Sequence, residues 1–257
     1  MPTRWDARML VRAAGAAGLA FGLALLVTAV TDEGGVAWGE RVSRTLSLCP
    51  ACAAVGVWVA LGPARARGET LALAALGRSR AQVAGAAVAG GAALALVAAL
   101  AMGASSVSVA AFFPRAGAAD VWTWDGHAFV DRAHGVKVGV DGSPAPVVRE
   151  TGLGRPGVPP YGRTAAALSI ALAGPAFALM AAHALLGPRL EVRRAGRRGR
   201  WLGRGAWGLL LAAAGACVAL SLVLFQAAAA RLVPAMWGAA PAIGLLAFAA
   251  WRYRAAP

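Results

Sequence analysis

Lysine is nearly missing from this sequence: Lys137 is the single one in 257 residues. A P-loop holds phosphates with a Gly-Lys-Ser/Thr turn, and the "HGVKVG" around Lys137 supplies none, so the chain does not bind ATP in that manner. Charge of either sign is also scarce, at 14% of residues. A soluble domain has about 25%, and here the deficit falls in long runs, which excludes an ordinary soluble domain. Cysteine and histidine number three each. Cys49 and Cys52, in "CPAC", lie one helical turn apart and are too few for a metal site. A membrane thiol oxidoreductase relays electrons through a second exposed pair, and only Cys217 is left over. These thiols favour packing as small apolar residues, with a thiol–disulfide pair as the alternative. His127 and His134, near Asp125 and Asp131, read as part of a solvated hairpin rather than a zinc site. His183 reads as a side chain that hydrogen-bonds a neighbouring carbonyl within an apolar helix.

What is present is apolar. Hydrophobic residues make up 59% of the chain, and the mean hydropathy is +0.64. Six stretches contain no Asp, Glu, Lys or Arg: 13–31, 45–64, 81–114, 164–188, 205–230 and 232–251. Each is long enough for a helix to cross a bilayer at about 1.5 Å per residue. They predict an all-α integral membrane protein with six transmembrane helices in a three-plus-three layout. Residues 1–30 resemble a signal peptide, but the apolar run is longer than usual and five more spans follow, so the first span is expected to stay. Six spans place both termini and the loops 64–80 and 188–204 on one side, with sixteen arginines against three acids, Asp6, Glu69 and Glu191. Nine bases face eight acids on the other side. The positive-inside rule makes the arginine-rich side cytoplasmic. The basic balance is therefore a topology signal. No nucleic-acid partner is expected, because the arginines sit at helix ends.

Three units follow. Residues 1–103 hold spans one to three, 104–163 an extracytoplasmic insert, and 164–257 spans four to six. In the insert, "VWTW" alternates before Asp125-Gly126, and Val136, Val138 and Val140 alternate before Asp141-Gly142. Asp-Gly after an alternating run favours a tight hairpin, so the insert is expected to be a small β unit of three or four strands. "RETGLGRPGVPPYG" reads as a Pro/Gly connector into span four.

Between spans two and three lies "RARGETLALAALGRSRAQV". The spacing predicts a short amphipathic helix over 68–77, on which Glu69, Leu73, Leu76 and Arg80 fall on one face. The acid at its start and the base at its end suit the helix dipole. Gly77 stands where the helix should stop. Resting on lipid headgroups is one use for such a helix. Passing force to the two spans it joins is another.

Glu69, Ala75, Gly77 and Ser79 form E-x5-A-x-G-x-S, which resembles the coupling helix of bacterial ABC-exporter permeases. The FtsX/MacB type has four spans with its insert after the first. Six spans with the insert between three and four resemble the LptF/LptG permeases of lipopolysaccharide export. "LLGPRLEVRRAGRRGR" is similar to that family's junction after span four, and Pro234, Trp237 and Pro241 are similar to its P…W…P pattern before the last span. The insert is shorter than the family's β-jelly roll. The outer end of span one carries Asp32 and Glu33 where the family has bases, and the nearest bases are Arg41 and Arg44.

The resemblance implies a permease with no catalytic residue, cofactor or metal. It implies partners: a dimer of ABC ATPase subunits, a second LptF/LptG-like permease, a periplasmic bridge protein and a lipid substrate. Glu69, Leu73, Leu76, Gly77 and Ser79 would form the ATPase-coupling element, and Arg41 and Arg44 would contact lipid headgroups. The alternatives are a permease for another hydrophobic substrate, a thiol–disulfide oxidoreductase using Cys49 and Cys52, and a scaffolding membrane protein.

Overall fold

The architecture comes from a computed structural model, which describes residues 3–31, 38–104, 106–109, 112–113, 123–131, 136–146, 158–187 and 196–255. The charge-free runs form helices, since a backbone away from water must satisfy its own polar groups. The long helices are α1 (Arg4–Thr31), α3 (Cys49–Ala66), α5 (Arg80–Gly103), α6 (Gly162–Leu186) and α7 (Gly196–Ala229). Two short helices, α2 (Trp38–Leu46) and α4 (Glu69–Ala75), precede and follow α3. Among the described residues, five segments are long and apolar enough to cross a membrane: α1, α3, α5, α6 and Leu211–Ala229 of α7. This is a helical membrane protein.

Three expected boundaries change. The stretch 45–64 is not one helix, because the chain turns at Ser47 and Leu48 between α2 and α3. Pro50 then sits in the first turn of α3, where its missing N–H has no partner to lose. The expected loop 188–204 is shorter, since α7 already begins at Gly196. At 34 residues, α7 is about 51 Å long, well beyond a hydrocarbon core of about 30 Å. The expected sixth span 232–251 is a 3₁₀ segment, Ala235–Ala239, running into α8 (Ala240–Ala255), whose 16 residues alone are short for a crossing. Pro234 breaks the backbone into an extended conformation ahead of it.

Helices α1, α3, α5 and α6 pack as a four-helix group; α8 lies against α6, and α7 against α8 and the 3₁₀ segment. The spans of α1 and α7 are buried over only 11% and 17% of their residues, against 50–61% for α3, α5 and α6. The two outer helices therefore offer most of their surface to lipid or to a neighbour. Small residues let the inner helices approach closely. A Cβ built on Gly90 of α5 would collide with the carbonyl oxygen of Leu10 in α1, and one on Gly56 of α3 with that of Ala13. Glycine at these two places lets α1 settle backbone against backbone.

The helix ends gather at two levels. At one, Arg8 of α1 reaches Glu69 of α4, Arg65 of α3 donates to the Ala184 carbonyl of α6 (3.4 Å), and Tyr253 of α8 donates to the Arg80 carbonyl of α5 (2.7 Å). At the other, Arg163 of α6 donates to the carbonyls of Met102 (2.9 Å) and Val107 (3.0 Å), and Thr28 of α1 meets Thr45 of α2.

Four short strands form an antiparallel meander in chain order: β1 (Thr123–Trp124), β2 (Ala128–Asp131), β3 (Val136–Gly139) and β4 (Pro144–Pro146). Trp124 pairs with Phe129 and Val138 with Pro144. Gly126 and Gly142 lie in the two Asp-Gly turns with positive φ.

Candidate functional site

The junction of α3, α4 and α5 is assembled by its turns. Gly77 adopts φ +83, and a left-handed residue ends the helix. The Arg78 N–H then donates to the Leu73 carbonyl (3.1 Å) and the Gly77 N–H to that of Ala74 (3.0 Å). Ser79 starts α5: its Oγ accepts from the Gln82 N–H (3.3 Å), while Gln82 Oε1 accepts from the Ser79 N–H (2.9 Å). Ser79 is thus a cap, and it is engaged.

The helix is shorter than the expected 68–77, and the expected single face does not form. Leu76 lies just past the end of α4, and Arg80 belongs to α5 beyond the Gly77 reversal. Leu73 and Glu69 are half-buried, whereas Leu71 (69% exposed) and Leu76 (81%) point outward with Ala72, Ala74 and Ala75. The exposed apolar edge of α4 is therefore Leu71–Leu76.

Glu69 faces α1. Its Oε2 accepts from Arg8 Nη2 (3.0 Å) and from the Trp5 indole N–H (3.3 Å), and its Oε1 from Arg67 Nε (2.7 Å). The Arg67 hydrogen bond, with help from Trp5 and the charge of Arg8, holds this carboxyl below the usual carboxylate range against a smaller desolvation effect. Beside it, Arg78 grips Asp6 of α1 with both guanidinium nitrogens, at 3.1 and 2.8 Å, and lies over the Trp5 ring at 5.9 Å. Asp6 also accepts from the N–H and hydroxyl of Thr3. Two acids, three arginines and a tryptophan thus fasten α4 and its flanks to the start of α1.

No family model, curated protein or solved structure matches the chain.

The remaining candidates sit apart from this junction. Arg41 lies over the Trp38 ring at 5.5 Å, and with Leu25, Leu26, Ala29 and Val30 it lines a groove of about 420 Å³ between α1 and α2. Arg44 is exposed on the same short helix. Cys49, Cys52 and Cys217 are free and buried, with Cys49 wholly inside the core beside Ala95, Met102 and Ala166. His183 is half-buried in α6. His127 is exposed beside a turn that Asp125 organises, its Oδ1 taking the N–H groups of His127 and Ala128 and its Oδ2 the Lys137 ammonium (2.8 Å). Lys137 and those turn hydrogen bonds lower the Asp125 carboxyl to about 2. His134 and the Asp131 side chain lie outside the described residues. Among the described residues no three His, Cys, Asp or Glu side chains come together as metal ligands would.

Sequence reasoning missed Trp5, Asp6 and Arg8. The available signal was an acid in an N-terminal segment otherwise rich in arginine, matched to a lone acid in the next basic loop.

Proposed function

We propose that the chain is the permease subunit of an ABC exporter that moves a lipid or lipid-like substrate outward from a bacterial inner membrane, as its resemblance to LptF/LptG implies. In this reading the 3₁₀ segment and α8 together make the sixth crossing, about 10 Å and 24 Å of rise. Both termini, α4 and the start of α7 lie in the cytoplasm. The four-stranded sheet lies outside. A second permease and a dimer of ATPase subunits complete the assembly, and no bond is made or broken on this chain.

The observation that supports this reading is the α4 junction: a short helix with an outward apolar edge, pinned to α1 by ion pairs. A body that pushes on Leu71 and Leu76 moves α1 through the Glu69–Arg8 and Asp6–Arg78 contacts, and α3 and α5 directly. A nucleotide-driven partner shifts such an equilibrium only by binding its two states differently. Glu69 serves here as the inner fastening and the leucines as the outer contact. The sparsely buried α1 and α7 leave room for a second permease and for lipid between them. Burial of Cys49 and Cys52 favours packing over the oxidoreductase alternative.

The test is recovery of the full-length chain from its own membranes in mild detergent, with every co-purifying chain and lipid identified by mass spectrometry. An ABC ATPase should co-purify, and Leu71→Asp with Leu76→Asp should release it while the permease stays folded. Recovery without any ATPase sinks the exporter reading. A lipid other than a phosphorylated saccharolipid moves the substrate to the alternative class.

A further inference from the structure

Tyr161 (φ +60) and Arg231 (φ +58) are the two non-glycine residues with a left-handed backbone among the described residues, and both line one cavity. The other left-handed positions, Gly68, Gly77, Gly126 and Gly142, all use glycine. A Cβ is disfavoured in this conformation because it crowds a neighbouring carbonyl. Arg231 closes the end of α7: its N–H donates to the Ala228 carbonyl (3.0 Å), and the Leu232 N–H to that of Ala227 (2.9 Å). That motif most often carries glycine. A chain with 33 glycines has placed an arginine there and a tyrosine across from it. The exception calls for a use of the side chains.

The cavity, about 450 Å³, lies at the end of the bundle opposite α4, between the start of α6 and the turn after α7. Pro160, Leu232, Pro234 and Met236 give it apolar walls, and Tyr161 (76% exposed) and Leu232 (78%) stand at its rim. The Arg231 guanidinium has no hydrogen bond or ion pair among the described residues. Arg163, at the same end of α6, is by contrast occupied by the Met102 and Val107 carbonyls. Trp237, 58% exposed, follows in the 3₁₀ segment, and exposed Trp and Tyr belong at the depth of lipid headgroups. A free planar guanidinium suits two oxygens of a phosphate, a phenol hydroxyl can donate a third bond, and the apolar walls suit what is attached to that phosphate.

We propose that this cavity binds the headgroup of an anionic phospholipid. Arg231 takes the phosphate, the Tyr161 hydroxyl donates to it, and the glycerol and first acyl carbons rest on Leu232, Pro234 and Met236. The site requires the chain to be in a membrane, but neither an ATPase nor a transport cycle, so it stands apart from the exporter reading.

The experiment uses the full chain in detergent, a phosphatidylglycerol carrying a photoreactive group near its headgroup, and peptide mapping of the adducts. Label should enter the peptide spanning 228–236, and Arg231→Gly and Arg231→Asn should each lower it by about tenfold, as loss of a charge-assisted contact implies. Both replacements tolerate the left-handed backbone, so neither variant should melt below the wild type. Label in 228–236 that survives in both variants overturns the proposal. Should either variant fail to fold, the wild-type protein decides: a matched phosphatidylcholine probe labelling that peptide equally overturns it. Displacement of the label by millimolar inorganic phosphate also overturns it, because the site would then hold a free anion and not a lipid.

Discussion

Gly90 and Gly85 stand five residues apart in α5, and the same change at each should move stability in opposite directions. A Cβ at Gly85 meets nothing within 4 Å, and the position is exposed. Alanine there removes the backbone-entropy cost of glycine in a helix, worth about 0.5–1 kcal/mol. At Gly90 the same Cβ collides with the carbonyl oxygen and backbone of Leu10. Backbone cannot rotate aside as a flexible side chain can, so α1 must move away from α5 and lose packing along both helices. Overpacking of this kind costs about 1–3 kcal/mol, which exceeds the propensity gain. For a chain of this size 1 kcal/mol corresponds to about 2–4 °C. Gly85→Ala should therefore raise the melting temperature by about 1–4 °C, and Gly90→Ala should lower it by a few degrees. The assay is thermal unfolding in one detergent, followed by circular dichroism and by loss of the monodisperse peak. Gly90→Ala melting at or above the wild type would refute the backbone contact between α1 and α5.

Spin labels at positions 12 and 72, both exposed, should report a narrow distance between α1 and α4. The Glu69 carboxyl is lowered in the folded state by Arg67, Trp5 and Arg8, so its contribution is complete above the ordinary carboxylate range and is lost as pH falls through the lowered value. The distribution should stay narrow at pH 5–7 and broaden in stronger acid, and Glu69→Gln should broaden it throughout; a pH-independent distance in the wild type counts against the fastening. In a Cys-less background, a cysteine at position 120 should be labelled from outside intact cells and one at 196 protected, and the reverse would invert the topology. Changing Cys49 and Cys52 together to alanine should leave the chain folded and any partner bound, with loss of activity in an intact assembly promoting the redox reading.

Local patterns in the sequence carry their information over a few residues, and what they disclosed has that range. Asp125-Gly126 and Asp141-Gly142 announce turns because the second residue takes a left-handed backbone, and both glycines do so. Gly77 announces the end of α4 for the same reason. The single face through Glu69, Leu73, Leu76 and Arg80 was illegible as an error, since helical spacing counts straight through a reversal. The start of α7 at Gly196 was hidden because an Arg- and Gly-rich segment offers no apolar period. The separate α2 was hidden by Leu46, Leu48 and Cys49, which read as one apolar run across a turn. The α1 partners of Glu69 are 61 and 64 residues away, beyond any helical period, so only folding reveals that this acid turns toward α1.

The clasp between Asp6 and Arg78 also has a timetable. Its halves are separated by 72 residues, and at about 5–20 residues per second Arg78 is synthesised roughly 4–14 s after Asp6. During that interval α1 stands with no α4 to hold. Once Arg78 and then α5 have emerged, α1, α3 and α5 can close on each other through Gly56 and Gly90 before any residue of α6 exists. The first half of the chain is in this sense a cradle completed early, into which α6, arriving after the sheet, is received. A nascent chain stalled once α5 has cleared the ribosome exit tunnel should already carry the fastened junction.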